Sequence, residues 1–169
     1  TAMPVPIAHA SMVALSNHQV LVTGGLQQST TIPSSTLVPA SNEAWLYDHD
    51  TREWSAAGLM KRSRNRHQSV ALPDGRVLIV GGRANGKAYG EHDSSDFEDC
   101  LEIYDPSTPT DPFTLLDGCS TSTGSGQSLE TGASRPSLAQ DPDFGVLIVG
   151  GLGNNGASDS VNLWVSRAP

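Results

Sequence analysis

The residues of this chain best suited to chemistry are arginines and histidines, and four of them crowd one short stretch as Arg62, Arg64, Arg66 and His67. Arg83, His92 and Arg135 extend the set. A guanidinium presents a rigid fork of donors that matches carboxylate and phosphate, and imidazole changes charge near neutral pH. Binding is one reading of this cluster. No Ser-His-Asp set, phosphate-binding loop or metal-ligand pair accompanies it, so a catalytic reading finds no nucleophile to build on. For each of these residues the plainer alternative is a solvated or bridging side chain.

Two further groups have chemistry in their composition. Residues 91–99, Glu-His-Asp-Ser-Ser-Asp-Phe-Glu-Asp, offer the hard oxygen ligands that calcium takes, but they lack the spaced glycine and closing glutamate of an EF-hand loop. A solvated acidic loop is the reading they favour. Cys100 and Cys119 fit neither zinc nor CxxC redox spacing.

Composition narrows the function classes. With 10 Lys+Arg against 18 Asp+Glu in 169 residues the formal charge is −8, so the basic footprint of a nucleic-acid or anionic-lipid binder is missing. No apolar run reaches the roughly 18 residues of a membrane helix, and no basic-then-apolar signal peptide opens the chain. Membrane insertion is not expected. Opening on Thr1, the sequence reads as processed or as a piece of something longer. The absence of an Asn-x-Ser/Thr acceptor disfavours a glycosylated surface without excluding secretion.

The elements that must position these residues announce themselves by repetition. Val77-Leu78-Ile79-Val80-Gly81-Gly82 recurs as Val146-Leu147-Ile148-Val149-Gly150-Gly151 and, more loosely, as Val20-Leu21-Val22-Thr23-Gly24-Gly25. A β-branched run ending on paired glycine reads as a buried strand leaving through a tight turn. The first two units keep a constant offset of 57 residues, and the second and third double glycines stand 69 apart. Three units follow: 1–60, 61–119 and 120–169. Each is expected to hold an apolar first strand, the Gly-Gly strand and a third strand, at 43–47, 101–104 and 161–164. A fourth strand starts at Trp54 in the first unit and covers 113–116 in the second; the third unit ends before its own. Helical periodicity is absent, so the chain is expected to be all β.

These residues resemble the kelch β-propeller family, whose blades show a Gly-Gly strand, a Tyr-Asp strand end and a Trp opening the last strand. Unit one carries Gly24-Gly25, Tyr47-Asp48, Thr51 and Trp54; unit two carries Gly81-Gly82, Tyr104-Asp105-Pro106 and Thr108, with Phe113 in the Trp role. Unit three places Trp164 where Tyr is expected. The family's Arg-x-x-His is present once, as Arg64 to His67, and the spacing lies near the roughly 50-residue kelch period. The resemblance implies a partial propeller of three kelch-type blades, each a four-stranded antiparallel sheet, the third lacking its outer strand.

On that scaffold the long loops 26–41, 83–96 and 117–134 emerge on one face, together with the linkers between blades. Binding is expected there, with Arg62, Arg64, Arg66, His67, Arg83, His92 and Arg135 as candidates. Pairing of strands 99–104 and 113–118 brings Cys100 and Cys119 to one open end, where a disulfide is expected, and with it an oxidising compartment. The functional expectation is a non-catalytic module that binds or assembles with other protein chains, or with the rest of a larger propeller, and needs no cofactor. The alternative is the propeller portion of a galactose oxidase-like copper radical enzyme, whose active site would lie outside this chain.

Overall fold

β-Branched and aromatic runs, separated by Asp, Pro and Gly at the turns, leave this backbone few options other than short strands. The computed structural model describes residues 1–27, 39–84, 99–116, 129, 134–153 and 156–165. Those residues form strands and no helix. None of them therefore makes a helix long and apolar enough to cross a membrane.

The first unit contributes β1 (Ile7–Ala8), β2 (Ser11–Ala14), β3 (Gln19–Thr23), β4 (Leu26–Gln27), β5 (Glu43–Asp48) and β6 (Glu53–Leu59). Of these, β2, β3, β5 and β6 make a four-stranded antiparallel meander, while β1 pairs with β4. The second sheet repeats the plan with β7 (Gln68–Ala71), β8 (Val77–Val80), β9 (Leu101–Tyr104) and β10 (Phe113–Leu115). The third unit adds β11 (Ser137–Asp141), β12 (Gly145–Val149), β13 (Leu152–Gly153), β14 (Gly156–Ala157) and β15 (Val161–Trp164). Here β11, β12 and β15 form a three-stranded sheet, and β13 pairs with β14. Each Gly-Gly strand lies second, between the first and third strands, as the repeat predicts.

Strand periodicity turns these sheets into a stack. Side chains alternate faces along a strand, and on β8 all four residues are fully buried, so the second sheet is covered on both sides. Val77 and Ile79 join Tyr104 and Phe113 in a core against Leu21, Ala44 and Ala57 of the first sheet. Leu78 and Val80 join Leu101 and Ile103 in a core against Val146, Ile148 and Trp164 of the third. The first strands β2, β7 and β11 run side by side.

Two features escape sequence reading. The opening stretch and the start of the loop expected at 26–41 pair as β1 and β4, and two-residue strands leave no periodicity to detect. The same contact recurs in each unit, joining Ala8 to Leu26, Asn65 to Arg83 and Ser134 to Leu152. Within each such loop sits a double glycine with the same conformation: φ of 60° and 98° at Gly24-Gly25, 65° and 108° at Gly81-Gly82, and 64° and 111° at Gly150-Gly151. Left-handed φ is open to glycine without steric cost.

Candidate functional site

The linker from the first sheet to the second, residues 61–67, passes between the two and carries most of the candidate side chains. Arg64 is fully buried. Its carbonyl accepts from the Gly25 amide (2.9 Å), fixing the linker to the first sheet. Its guanidinium reaches the second sheet, donating to the carbonyls of Gly81 (2.8 Å) and Cys100 (3.0 Å) and to Glu102 Oε2 (3.1 Å). Glu102 is equally buried, and its Oε1 accepts the Lys61 amide at 2.5 Å. Burial pushes the Glu102 carboxyl above its ordinary 4.5, while Arg64 and the Lys61 amide pull it back. A buried pair in this setting acts through geometry, and its many hydrogen bonds offset the desolvation of both charges.

His67 completes the junction. It is 1% exposed, and its Nε2 lies 2.8 Å from the Thr23 hydroxyl at the end of β3. Burial first, and the Arg64 charge second, hold it well below 6.5, so the ring is neutral at physiological pH. Its Nδ1 is buried with no hydrogen-bond partner among the described residues. The close approach explains the glycines: a Cβ on Gly24 would collide with the Arg64 carbonyl, and one on Gly82 would stand 2.9 Å from both Asn65 O and His67 Cβ.

Arg83 is also buried, and its backbone exchanges two 2.9 Å hydrogen bonds with Asn65. Arg62 and Arg66 are half-buried and Arg135 is exposed. His92 lies outside the described residues. Of the seven candidates, the structure therefore places Arg64, His67 and Arg83 inside the molecule and draws Arg66 and Arg135 together.

That second grouping has a regular basis. His9, Arg66 and Arg135 are non-glycine residues in left-handed conformation, with φ of 58°, 54° and 56°. They occupy one position of the repeat, and the backbone links them in series: Arg66 N donates to His9 O (2.9 Å) and Arg135 N to Arg66 O (2.8 Å). Burial, then the charges of Arg66 and Arg135, lower the His9 pKa below 6.5. The result is a basic rim running across the inner ends of three sheets in a chain of net charge −8. His9 was missed because it is offset by one place from the Arg-x-x-His histidine; its 57-residue spacing to Arg66 was the available signal.

The remaining candidates have structural surroundings. Cys100 is buried, no free cysteine occurs among the described residues, and Cys119 lies outside them. Of the acidic stretch 91–99 only Asp99 is described. Tyr47 packs on Trp54 with centroids 5.0 Å apart and rings inclined 49°; Tyr104 packs on Phe113 at 5.1 Å and 48°. Both tyrosines thus fill one slot of the repeat.

No family model matches the chain. It is 34% identical over 112 residues, 64% of its length, to tRNA wybutosine-synthesizing protein 4 of Saccharomyces cerevisiae, but those residues span only 14% of that protein. Among solved structures it resembles YjhT, with a TM-score of 0.70 over 95% of this chain and 49% of the other at 18% identity. At that identity the likeness concerns the fold alone, which is propeller-like.

Proposed function

We propose that this chain is a segment of a kelch-type β-propeller, with three blades at 1–60, 61–119 and 120–169, that works as a non-catalytic assembly module. One observation carries the reading. The face of the third sheet turned away from the second exposes Leu147, Val149, Val161 and Leu163 at 40%, 39%, 62% and 56%, whereas Leu78 and Val80, at the equivalent positions of the second sheet, are fully buried. Apolar area of this kind marks an interaction surface. Arg64, Glu102 and His67 are consumed in joining sheets. Cys100 bridges Cys119 to pin the hairpin of the second blade.

The relation to a tRNA-modifying protein is compatible with this role, since the shared stretch is a small part of that protein. A net charge of −8 argues that, in such a setting, this segment does not hold the tRNA. Carbene footprinting of the native preparation tests the reading: Val161 and Leu163 should be as protected as Leu78, and full labelling of both would overturn it. Copper found by elemental analysis, together with a Tyr-Cys crosslink by mass spectrometry, would instead favour an oxidase.

A further inference from the structure

The seam between the first and second sheets holds polar atoms that the joining of the sheets does not use. His67, just before β7, spends its Nε2 on the Thr23 hydroxyl at 2.8 Å, while its buried Nδ1 has no hydrogen-bond partner among the described residues. Ser69 Oγ is buried and unpartnered in the same way. Both side chains face the first sheet. His67 does so through Thr23; Ser69 stands two residues on, paired with Ile79, whose side chain lies in the core shared with Leu21. Alternate residues of a strand share a face.

The first sheet answers with hydroxyls. Ser11 pairs with Thr23 across β2 and β3, on the face that Val13 and Leu21 turn toward the second sheet, and the two are 7% and 1% exposed. Ser11, Thr23, His67 and Ser69 thus line one buried stretch where β2 and β7 run side by side. The second seam is built otherwise. At the equivalent places stand Gln68, Val80, Pro136 and Leu138, and of these Val80 and Leu138 pack into the apolar core. A lining of hydroxyls and imidazole is kept at the first seam alone.

We propose that this seam binds one internal water molecule, which bridges His67 Nδ1 and Ser69 Oγ and takes the Ser11 hydroxyl as its third partner. The ring is not free to turn Nδ1 elsewhere: Thr23 holds Nε2, and a Cβ on Gly24 or Gly82 would stand only 2.9 Å from His67 Cε1 or Cβ, so the backbone is packed against it on two sides. A neutral imidazole donates at one nitrogen and accepts at the other. The Thr23 hydroxyl satisfies Nε2 in either role, and Nδ1 therefore needs a partner that can also do both, as water does. Residues two apart on a strand have Cα atoms about 6.7 Å from each other, a gap that two hydrogen bonds of about 2.8 Å through one oxygen can span. Internal waters make about three such bonds to polar groups that are otherwise unpaired, and leaving both atoms bare would cost the desolvation of each.

Magnetic relaxation dispersion of water oxygen counts the long-lived internal waters of a protein in solution. Ser69→Val, whose methyl groups take the place of the bridge, should lose one of them relative to wild type, and so should His67→Phe. The two changes together should lose no more than either alone, while Ser107→Ala, in an exposed turn, should lose none. An unchanged count in Ser69→Val and His67→Phe overturns the proposal, and so does a double variant that loses two. Circular dichroism and melting establish that each variant is folded. A crystal structure of the unaltered chain gives a reading that needs no substitution: a water oxygen is expected within about 3 Å of His67 Nδ1, and a protein atom in hydrogen-bonding contact there instead overturns the assignment.

Discussion

Glu102→Gln would leave the Arg64 guanidinium buried beside a neutral amide, and breaking one side of such a pair costs about 3–5 kcal/mol. We expect a loss of that size in urea unfolding. Apolar residues stand at the equivalent positions of the first unit, Ile7 and Trp45. Arg64→Met combined with Glu102→Leu should therefore be less damaging than the sum of the single changes, by at least about 1 kcal/mol of coupling. Recovery stays partial because the Gly81 and Cys100 carbonyls lose their donor. His67 gives a test by pH. Its folded pKa is depressed, so below 6.5 the unfolded chain takes up a proton that the folded chain refuses. Stability is present above 6.5 and falls with acidification, by up to about 1.4 kcal/mol per pH unit. Glu102 works in the opposite sense, favouring the fold below 4.5 and losing that advantage as pH rises through its elevated value. The difference between wild type and His67→Gln isolates the histidine: it should shrink steadily between pH 6.5 and 5.0 in urea midpoints.

At the level of elements, the double glycines are the points where geometry leaves least freedom. Gly24→Ala sets a methyl against the Arg64 carbonyl at φ +60°, whereas Gly75→Ala meets open space at φ +89°. Left-handed strain alone costs about 1–2 kcal/mol, so Gly75→Ala should lose that much in thermal or urea unfolding and Gly24→Ala clearly more. The strands were legible because their apolar runs are four to six residues long and most end in Gly-Gly or Tyr-Asp; β9 and β15 match the sequence reading to the residue. The pairs β1–β4 and β13–β14 were not, since two residues carry no period. The candidate site was half legible. Arg-x-x-His marks Arg64 and His67, but the same letters serve a buried rivet or an open ligand site, and only the position of Glu102 on β9, one strand beyond the Gly-Gly strand, decides between them. The convergence of His9, Arg66 and Arg135 depends on a shared left-handed backbone, which sequence does not display for arginine or histidine.

For the molecule as a whole, the two sheet junctions are unequal. The first holds Arg64, His67 and Glu102 together with an apolar core; at the second, the equivalents of Arg64 and Glu102 are Ala133 and Asn162, so no such ion pair is available. The described backbone there supplies the Arg135–Arg66 hydrogen bond, and the apolar core supplies the remaining contact. Amides of β12 and β15 should therefore exchange with solvent sooner than those of β8 and β9 in native-state hydrogen exchange. Uniform protection across the three sheets would contradict this. A fastening set at one seam also gives the molecule a grain. Stretched between its two ends in an optical trap, the chain should tear rather than melt, shedding the third sheet in a first, low-force step and surrendering the riveted pair only in a second, higher one.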